Sequence, residues 1–367
     1  MALQRILLAV TGLSPQIVTE TLYALCVTQN PAWVPDEIHL ITSGEGFERA
    51  RLSLLDPEHG RFLAFCRDYP IAKDIRFSVE HIHQIKDADA LPLNDIRTPE
   101  DNALAADAIH QLVKTLTARP DTELHVSIAG GRKTMGFYLS YCLSLTARPQ
   151  DKLSHVLVSA PFESLPEFYF PPAQPRLLHT REGRPIHTAD AKIMLAEIPF
   201  VRLRSLLPTH ALNAALRFSE AVAATQAHLD APHLTLLPAQ RLLICGNQRL
   251  TLPPQLFAWY AWMARRCQQG LAPIRYTDAE GDEFLALYAE ILGSDYADYE
   301  QMKESLHEDG FSKEFFEQKC AKTNRLLKEH LGPAASPYLI SPHGKRPMTR
   351  YGLTLSRELI KFRMQKA

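Results

Sequence analysis

The sequence predicts an α/β protein with a doubly wound, mostly parallel N-terminal sheet and a smaller C-terminal α+β domain. Short apolar runs alternate with longer amphipathic segments over the first 160 residues, and such alternation is typical of parallel sheets. After Pro161 prolines become frequent, and the last third of the chain has its own pattern of short strands and opposed charge blocks. Together these observations separate two modules.

The N-terminal elements follow from hydrophobic periodicity. We expect strands at 5–10, 37–42, 75–82, 123–128 and 155–160. Helices are expected between them at 14–27, 44–55, 102–116 and 133–145. Ser14 is expected to cap the first helix, with Pro15 at its first position, where a missing N–H costs nothing.

These elements suggest a domain over residues 1–207, in which 161–207 form a hairpin or loop extension, a connector helix at 208–230 and a second domain at 231–367. In the second domain we expect a small antiparallel sheet at 234–254 and a helix at 254–267. Residues 275–310 are strongly acidic and residues 311–367 are strongly basic. The near-zero net charge of the chain therefore hides two neighbouring segments of opposite charge.

Composition limits the function. The 367 residues carry a net charge of -1, so attraction of nucleic acid by the whole chain is not available and any nucleotide site must be local. No run approaches the roughly 18 apolar residues of a membrane helix, and without an export signal we expect a cytoplasmic protein. Six cysteines without a CxxC pair favour reduced core residues over disulfides or zinc.

Three strand-to-helix loops are expected to meet at the carboxyl edge of the sheet, where ligands of such folds bind. They are Thr11–Pro15, Thr42–Glu45 and Ala129–Thr134. We predict ligand contacts from their small and polar residues, namely Thr11, Gly12, Leu13, Thr42, Ser43, Gly44, Gly130, Gly131 and Thr134. Ser14 is a candidate for a ribose or phosphate contact, although helix capping alone would account for it.

The strongest signal is Ala129-Gly-Gly-Arg-Lys-Thr134. Its glycines allow close backbone approach, and Arg132 and Lys133 stand at a helix start, the wrong end for cations unless an anion binds there. A plain turn with solvated cations is the ordinary alternative. The segment is not a P-loop, and no G-x-G-x-x-G, G-x-S-x-G, H-E-x-x-H or acidic metal cluster occurs.

The opening T-G-L-S-P-Q-I-V-T-E-T together with A-G-G-R-K-T-M resembles the CRISPR-associated Rossmann-fold (CARF) proteins, most closely their ring-nuclease branch. The resemblance covers roughly the first 160 to 200 residues. It implies a homodimer that binds cyclic tetra-adenylate and cuts it without a metal or other cofactor, leaving 2′,3′-cyclic phosphate ends and so ending type III CRISPR signalling. The ring-cutting residues of that branch correspond to Ser14 and Lys133, with Arg132 as a phosphate partner.

The C-terminal domain resembles a winged helix–turn–helix of the response-regulator type. Residues 311–332 would be the recognition helix and 337–355 the wing, a basic pair that suits duplex DNA. Its candidate contacts are Lys319, Lys322, Arg325, Lys328, Lys345, Arg346 and Arg350.

Two other interpretations of the C-terminal domain stay open. Its basic helix face can instead pair with the acidic segment, or the domain can serve only dimerisation. Arg325 and His330 form an R-x4-H pattern that resembles the catalytic motif of HEPN ribonucleases, which would make the chain a ring-activated ribonuclease. A sensor that binds the ring and regulates transcription is a further alternative to the ring nuclease.

Overall fold

A computed structural model describes residues 3–71, 73–207, 216–279, 281–292, 297–306, 311–345 and 348–363. The chain divides into two compact units. The N-terminal unit comprises Met1–Arg204 with Ala215–Ala221, and the C-terminal unit comprises Ser205–Ala214 with Val222–Ala367. Within the predicted connector, helix α6 occupies Phe218–Leu229, and 208–215 lie outside the described residues.

The N-terminal unit is built on a six-stranded sheet of order β3-β2-β1-β4-β5-β8. Five strands are parallel, and β8 joins the β5 edge in the antiparallel sense. The strands are β1 (Gln4–Val10), β2 (Glu37–Thr42), β3 (Ile82–Gln84), β4 (Thr122–Ser127), β5 (Lys152–Val158) and β8 (Ile193–Glu197). The predicted mostly parallel sheet is therefore confirmed.

Helices cover both faces of this sheet, as side-chain alternation along β1 requires. The even-numbered Ile6, Leu8 and Val10 pack into one core with helices α4 (Pro99–Thr117) and α5 (Lys133–Thr146). Leu7 and Ala9 face the opposite core, formed with α1 (Gln16–Tyr23), α2 (Gly44–Leu55) and α3 (Arg61–Asp68). This two-sided burial is what makes the fold doubly wound.

Two local predictions were wrong. The third strand is not 75–82, because a 3-10 turn at Val79–His81, in which Ser78 N and Oγ bond His81 Nδ1, interrupts the run. The first helix begins at Gln16, and Ser14 makes no capping hydrogen bond. The Ser14 carbonyl instead accepts a hydrogen bond from the Thr11 hydroxyl at 2.9 Å, which keeps this residue in the loop.

The extension beyond Pro161 contains a short hairpin and contributes an edge strand to the sheet. The hairpin strands are β6 (Leu177–His179) and β7 (Pro185–His187), which pair in the antiparallel sense. Strand β8 and helix α3 were not expected from the sequence.

The C-terminal unit has a four-stranded sheet of order β11-β10-β9-β14. Its strands are β9 (Leu234–Leu237), β10 (Leu242–Cys245), β11 (Gln248–Thr251) and β14 (Ile360–Phe362), of which β14 runs parallel to β9. Its helices are α7 (Pro254–Gln268), α8 (Gly281–Leu292), α9 (Ala297–Ser305) and α10 (Lys313–Leu331). The hairpin of β12 (Ile340–His343) and β13 (Arg350–Leu353) follows α10, in agreement with the predicted α+β class.

The core of the C-terminal unit is aromatic. Trp259 and Trp262 of α7 are fully buried and contact Phe284 and Phe316, with the Trp259 and Phe316 rings 5.0 Å apart. All six cysteines are free thiols. Among the described residues, no helix is both long and apolar enough to cross a membrane.

Candidate functional site

The three predicted loops lie side by side at one edge of the N-terminal sheet. Strand β1 is central and pairs in parallel with both β2 and β4, so their carboxyl ends meet. A Cβ atom on Gly12 would lie 3.5 Å from the Gly131 Cα, and one on Gly46 would lie 2.8 Å from the Gly12 carbonyl oxygen. Backbone contact between the loops therefore depends on glycine.

Glycine is required for two different reasons in the β4–α5 loop. Gly131 has a φ of +78°, a conformation that other residues rarely adopt. A Cβ on Gly130 would lie 2.7 Å from the Val10 carbonyl oxygen and 3.0 Å from Ile17 Cγ1. The loop thus packs directly on the end of β1, which brings the start of α5 to the sheet edge.

Thr11 and Thr42 hold the loops together through their hydroxyl groups. Both are fully buried. The Thr42 hydroxyl donates to the Thr11 carbonyl at 2.7 Å, and the Thr11 hydroxyl donates to the Ser14 carbonyl. Their side-chain donors are therefore already used within the protein.

A cavity of about 300 Å³ opens between the loops. Seven predicted residues line it, namely Gly12, Leu13, Ser14, Ser43, Gly130, Gly131 and Arg132. Five others do not, namely Thr11, Thr42, Gly44, Lys133 and Thr134. Glu45, Asp95 and Ile96 also line the cavity. Asp95 lies in the long loop between β3 and α4, and it was missed because nothing local marks so distant a loop residue as part of the sheet edge.

The helix starts at this edge differ in how their backbone N–H groups are satisfied. Helix α2 is capped by Ser43, which accepts from Gly46 N at 3.4 Å, and has Glu45 in its first turn. Helices α1 and α5 have no side-chain cap and no acid in the first turn. Uncapped N–H groups and the positive end of the helix dipole attract anions, so the starts of α1 and α5 suit an anion better than the start of α2.

The two cations of α5 have different partners. Arg132 forms a bidentate ion pair with Asp95, in which Nε lies 2.8 Å from Oδ1 and Nη2 contacts Oδ2. This guanidinium holds the pKa of Asp95 well below its ordinary value. Lys133 is exposed and makes no ion pair within the described part of the chain. Of the two cations at the start of α5, Lys133 is therefore the one without a compensating carboxylate among the described residues.

A second cavity, of about 540 Å³, shares Leu13, Ser14 and Ala129 with the first. Its walls include Glu20, Glu163, His155 and further polar residues, namely Gln16, Arg49, Ser53 and Arg181. Burial, and next the charge of Glu163, raise the pKa of Glu20 to about 8. This carboxyl is therefore largely neutral at pH 7. Sequence reasoning missed it because Glu20 stands within an apolar helical run and Glu163 is remote in sequence.

No three His, Cys, Asp or Glu side chains among the described residues lie close enough together to hold a metal ion. The nearest approach to a histidine cluster is at β2 and β3, where His39 Nδ1 and His83 Nε2 are 2.9 Å apart.

Some of the side chains predicted to contact nucleic acid in the C-terminal unit already bond other protein groups. On α10, Lys322, Arg325 and Lys328 are exposed, and Arg325 lies 3.6 Å from Glu329. Lys319 is half-buried and donates to Gln255 at 2.8 Å. In the hairpin, Lys345 is exposed, Arg346 lies outside the described residues, and Arg350 pairs with Asp278 at 2.8 Å.

A comparison with protein families finds a match that includes most residues of the site. The model of CRISPR-associated protein NE0113 matches residues 14–230, which include Ser14 and the loops that follow β2 and β4. No curated protein matches the chain. Because the match spans more than half of the sequence, the chain belongs to the CRISPR-associated protein NE0113 family.

Proposed function

We propose that this CRISPR-associated protein binds cyclic tetra-adenylate and linearises it as a metal-independent ring nuclease. The observation that carries the proposal is the unpaired ammonium of Lys133 at the uncapped start of α5, next to a cavity lined by Ser14. A phosphodiester is the anion that suits such a terminus. The resemblance of the Ser14 and Lys133 loops to ring nucleases supplies the cyclic substrate.

The proposed reaction is an internal transesterification. A ribose 2′-oxygen attacks the adjacent phosphorus, the bond from phosphorus to the 5′-oxygen breaks, and a 2′,3′-cyclic phosphate and a 5′-hydroxyl result. The 2′-hydroxyl proton passes to solvent and the leaving oxygen gains one, so no water is consumed. Alignment of the attacking oxygen supplies part of the rate, and Lys133 stabilises charge on the phosphoryl oxygens.

Ser14 has a positioning role in this proposal. It is exposed and lines both cavities, so one ligand can contact it while extending into each. Arg132 reaches phosphate only while its ion pair with Asp95 is shared or opened. In a two-fold homodimer, one Ser14 and Lys133 set would serve each of two opposite phosphates of the ring.

The test is to incubate the purified chain with cyclic tetra-adenylate and EDTA in ¹⁸O-labelled water, followed by mass spectrometry. Linear products with cyclic phosphate ends and no ¹⁸O support the proposal. An intact ring, cleavage abolished by EDTA, or ¹⁸O incorporated at the bond-breaking step would contradict it. Lys152→Ala is a matched control, since Lys152 is an exposed lysine at the start of β5, on the opposite edge of the sheet from the loops.

A second candidate function is a ring-sensing regulator that binds duplex DNA. The observation in its favour is that α10, with exposed Lys322, Arg325 and Lys328, is followed by the antiparallel β12–β13 hairpin after a short 3-10 segment at Gly332–Tyr338. A salt-sensitive shift of duplex DNA by the full chain, with the ring left intact, would favour this candidate over the nuclease.

The HEPN-type ribonuclease has less support. Its His330 Nδ1 lies 2.9 Å from the Leu326 carbonyl oxygen, and Arg325 faces Glu329. The surrounding unit contains a four-stranded sheet, whereas that family is all-helical. Ring-stimulated cleavage of a long RNA, abolished by His330→Ala, would favour the ribonuclease over the other two functions.

A further inference from the structure

The four-stranded sheet of the C-terminal unit carries a cavity on its solvent side that no function above uses. Its volume is about 470 Å³. The lining residues are mostly polar or basic, namely His233, Thr235, Ile244, Gly246, Asn247, Arg249, Glu358, Leu359, Lys361 and Arg363. This cavity is separate from α10 and from the hairpin, which supply none of these residues.

Strand register places the cavity residues in one row across all four strands. Arg249 of β11 pairs with Ile244 of β10, Ile244 pairs with Thr235 of β9, and Thr235 pairs with Lys361 of β14. Paired residues point to the same face of a sheet. Three strand spacings of about 4.8 Å separate the two cations, so the row spans roughly 14 Å.

The other face of this sheet is fully committed to the core. The neighbours of the row residues are buried there, namely Leu234, Leu236, Leu243, Cys245, Leu250 and Ile360. Because successive side chains of a strand point to opposite faces of the sheet, the row residues face away from the core. The basic residues can be changed without opening the core.

The row and its rim are positively charged. Arg249, Lys361 and Arg363 are exposed and form no ion pair within the described residues. The acidic residue of the cavity, Glu358, is already paired with Arg357 at 3.0 Å. Three unpaired cations in one concavity indicate an anionic ligand.

We propose that this face binds single-stranded RNA through its phosphates. A row of roughly 14 Å is wider than one phosphate needs, which disfavours a mononucleotide. A duplex is too wide and stiff to enter a cavity of this volume, whereas a single strand bends into it. The lining contains no Phe, Tyr or Trp side chain, and His233 is its one aromatic ring, so we expect most contacts to be to the backbone and not to stacked bases.

A ribose contact distinguishes RNA from DNA at this face. Asn247 donates its amide N–H to Asp230 at 3.0 Å, which leaves the Oδ1 of Asn247 as an acceptor beside the cavity. A 2′-hydroxyl is a donor that DNA lacks. The proposed ligand is therefore RNA and not DNA.

The test measures binding of a fluorescein-labelled 20-nucleotide oligouridylate to the full chain by anisotropy at several salt concentrations. The variant R249Q/K361Q/R363Q removes three cations but keeps polar side chains. Loss of three phosphate contacts makes the negative slope of log affinity against log salt shallower by about 2. With equal affinities at 1 M salt, the variant then binds about 50-fold more weakly than the wild type at 0.15 M salt.

The control R241Q/K303Q/K313Q removes the same charge from exposed residues of the C-terminal unit that do not line the cavity, and it is expected to change affinity by less than about threefold. Equal losses in both variants would overturn the proposal, as would oligodeoxythymidylate of the same length binding as tightly as the RNA. Displacement of RNA by poly-glutamate at equal charge concentration would indicate an acidic protein partner and likewise overturn it. None of these outcomes depends on ring cleavage.

Discussion

Neutralising Glu20 is expected to stabilise the N-terminal unit at alkaline pH. Burial raises the pKa of this carboxyl to about 8 from an ordinary 4.5. A raised pKa of an acid means that folding is favoured while the group is protonated, so the contribution of Glu20 to stability is fully present below pH 4.5 and is lost as pH rises toward 8. Glu20→Gln has no charge to bury and removes that loss.

The difference between about 8 and 4.5 corresponds to about 5 kcal/mol of unfolding free energy at 1.36 kcal/mol per pKa unit. Glu20 lines a cavity that is open to solvent. Because water near the carboxylate lowers the cost of burying its charge, we expect a change in unfolding free energy of about 2–3 kcal/mol. Other charged or titratable groups around the same cavity are Glu163, His155, Arg49 and Arg181.

The assay is urea denaturation of the full chain at pH 5 and at pH 9, followed by circular dichroism. Glu20→Gln should match the wild type at pH 5 and exceed it at pH 9. The control Glu58→Gln changes a carboxylate whose side chain is 84% exposed and should not alter the pH dependence. An unchanged pH dependence in Glu20→Gln would refute the reasoning about burial.

Three other changes have defined outcomes. Gly46→Ala places a Cβ 2.0 Å from a threonine hydroxyl oxygen and should lower stability by about 1–3 kcal/mol, measured by thermal melting. Asp151→Ala leaves Arg148 buried without its bidentate partner and should cost about 3–5 kcal/mol in urea denaturation, against less than about 1 kcal/mol for exposed pairs. Asp95→Asn releases Arg132 and should tighten cyclic tetra-adenylate binding about threefold in calorimetry; weaker binding would instead show that Asp95 positions the guanidinium.

The sheet could be predicted because its strands are dense apolar runs that end in clear turn residues. Strand β1 and the β4–α5 loop illustrate this, since Gly130 and Gly131 have a local backbone reason to be glycine. Strand β8 was missed because an edge strand in a proline-rich extension needs only half of its hydrogen bonds and carries a weak pattern. The position of Ser78–His81 was missed because side-chain hydrogen bonds, and not hydropathy, form that turn.

The sequence predicted which loops meet at the site, but it did not predict how the charged side chains there are paired. Sequence reasoning treated Arg132 and Lys133 as equivalent cations, whereas Asp95 pairs with the first and leaves the second free. The chemistry of Glu20 likewise depends on burial and on Glu163, which folding alone brings near. Long-range partners of this kind leave no local signal in the sequence.

The most direct test of the proposed function is the single-turnover cleavage rate of cyclic tetra-adenylate by Lys133→Ala. If this ammonium stabilises the phosphoryl charge as it develops, its removal should slow cleavage about 100-fold or more while the fold is retained. Lys152→Ala, at the opposite edge of the sheet, should cleave at the wild-type rate. Cleavage by Lys133→Ala at the wild-type rate would contradict the assignment of this edge of the sheet as a catalytic site.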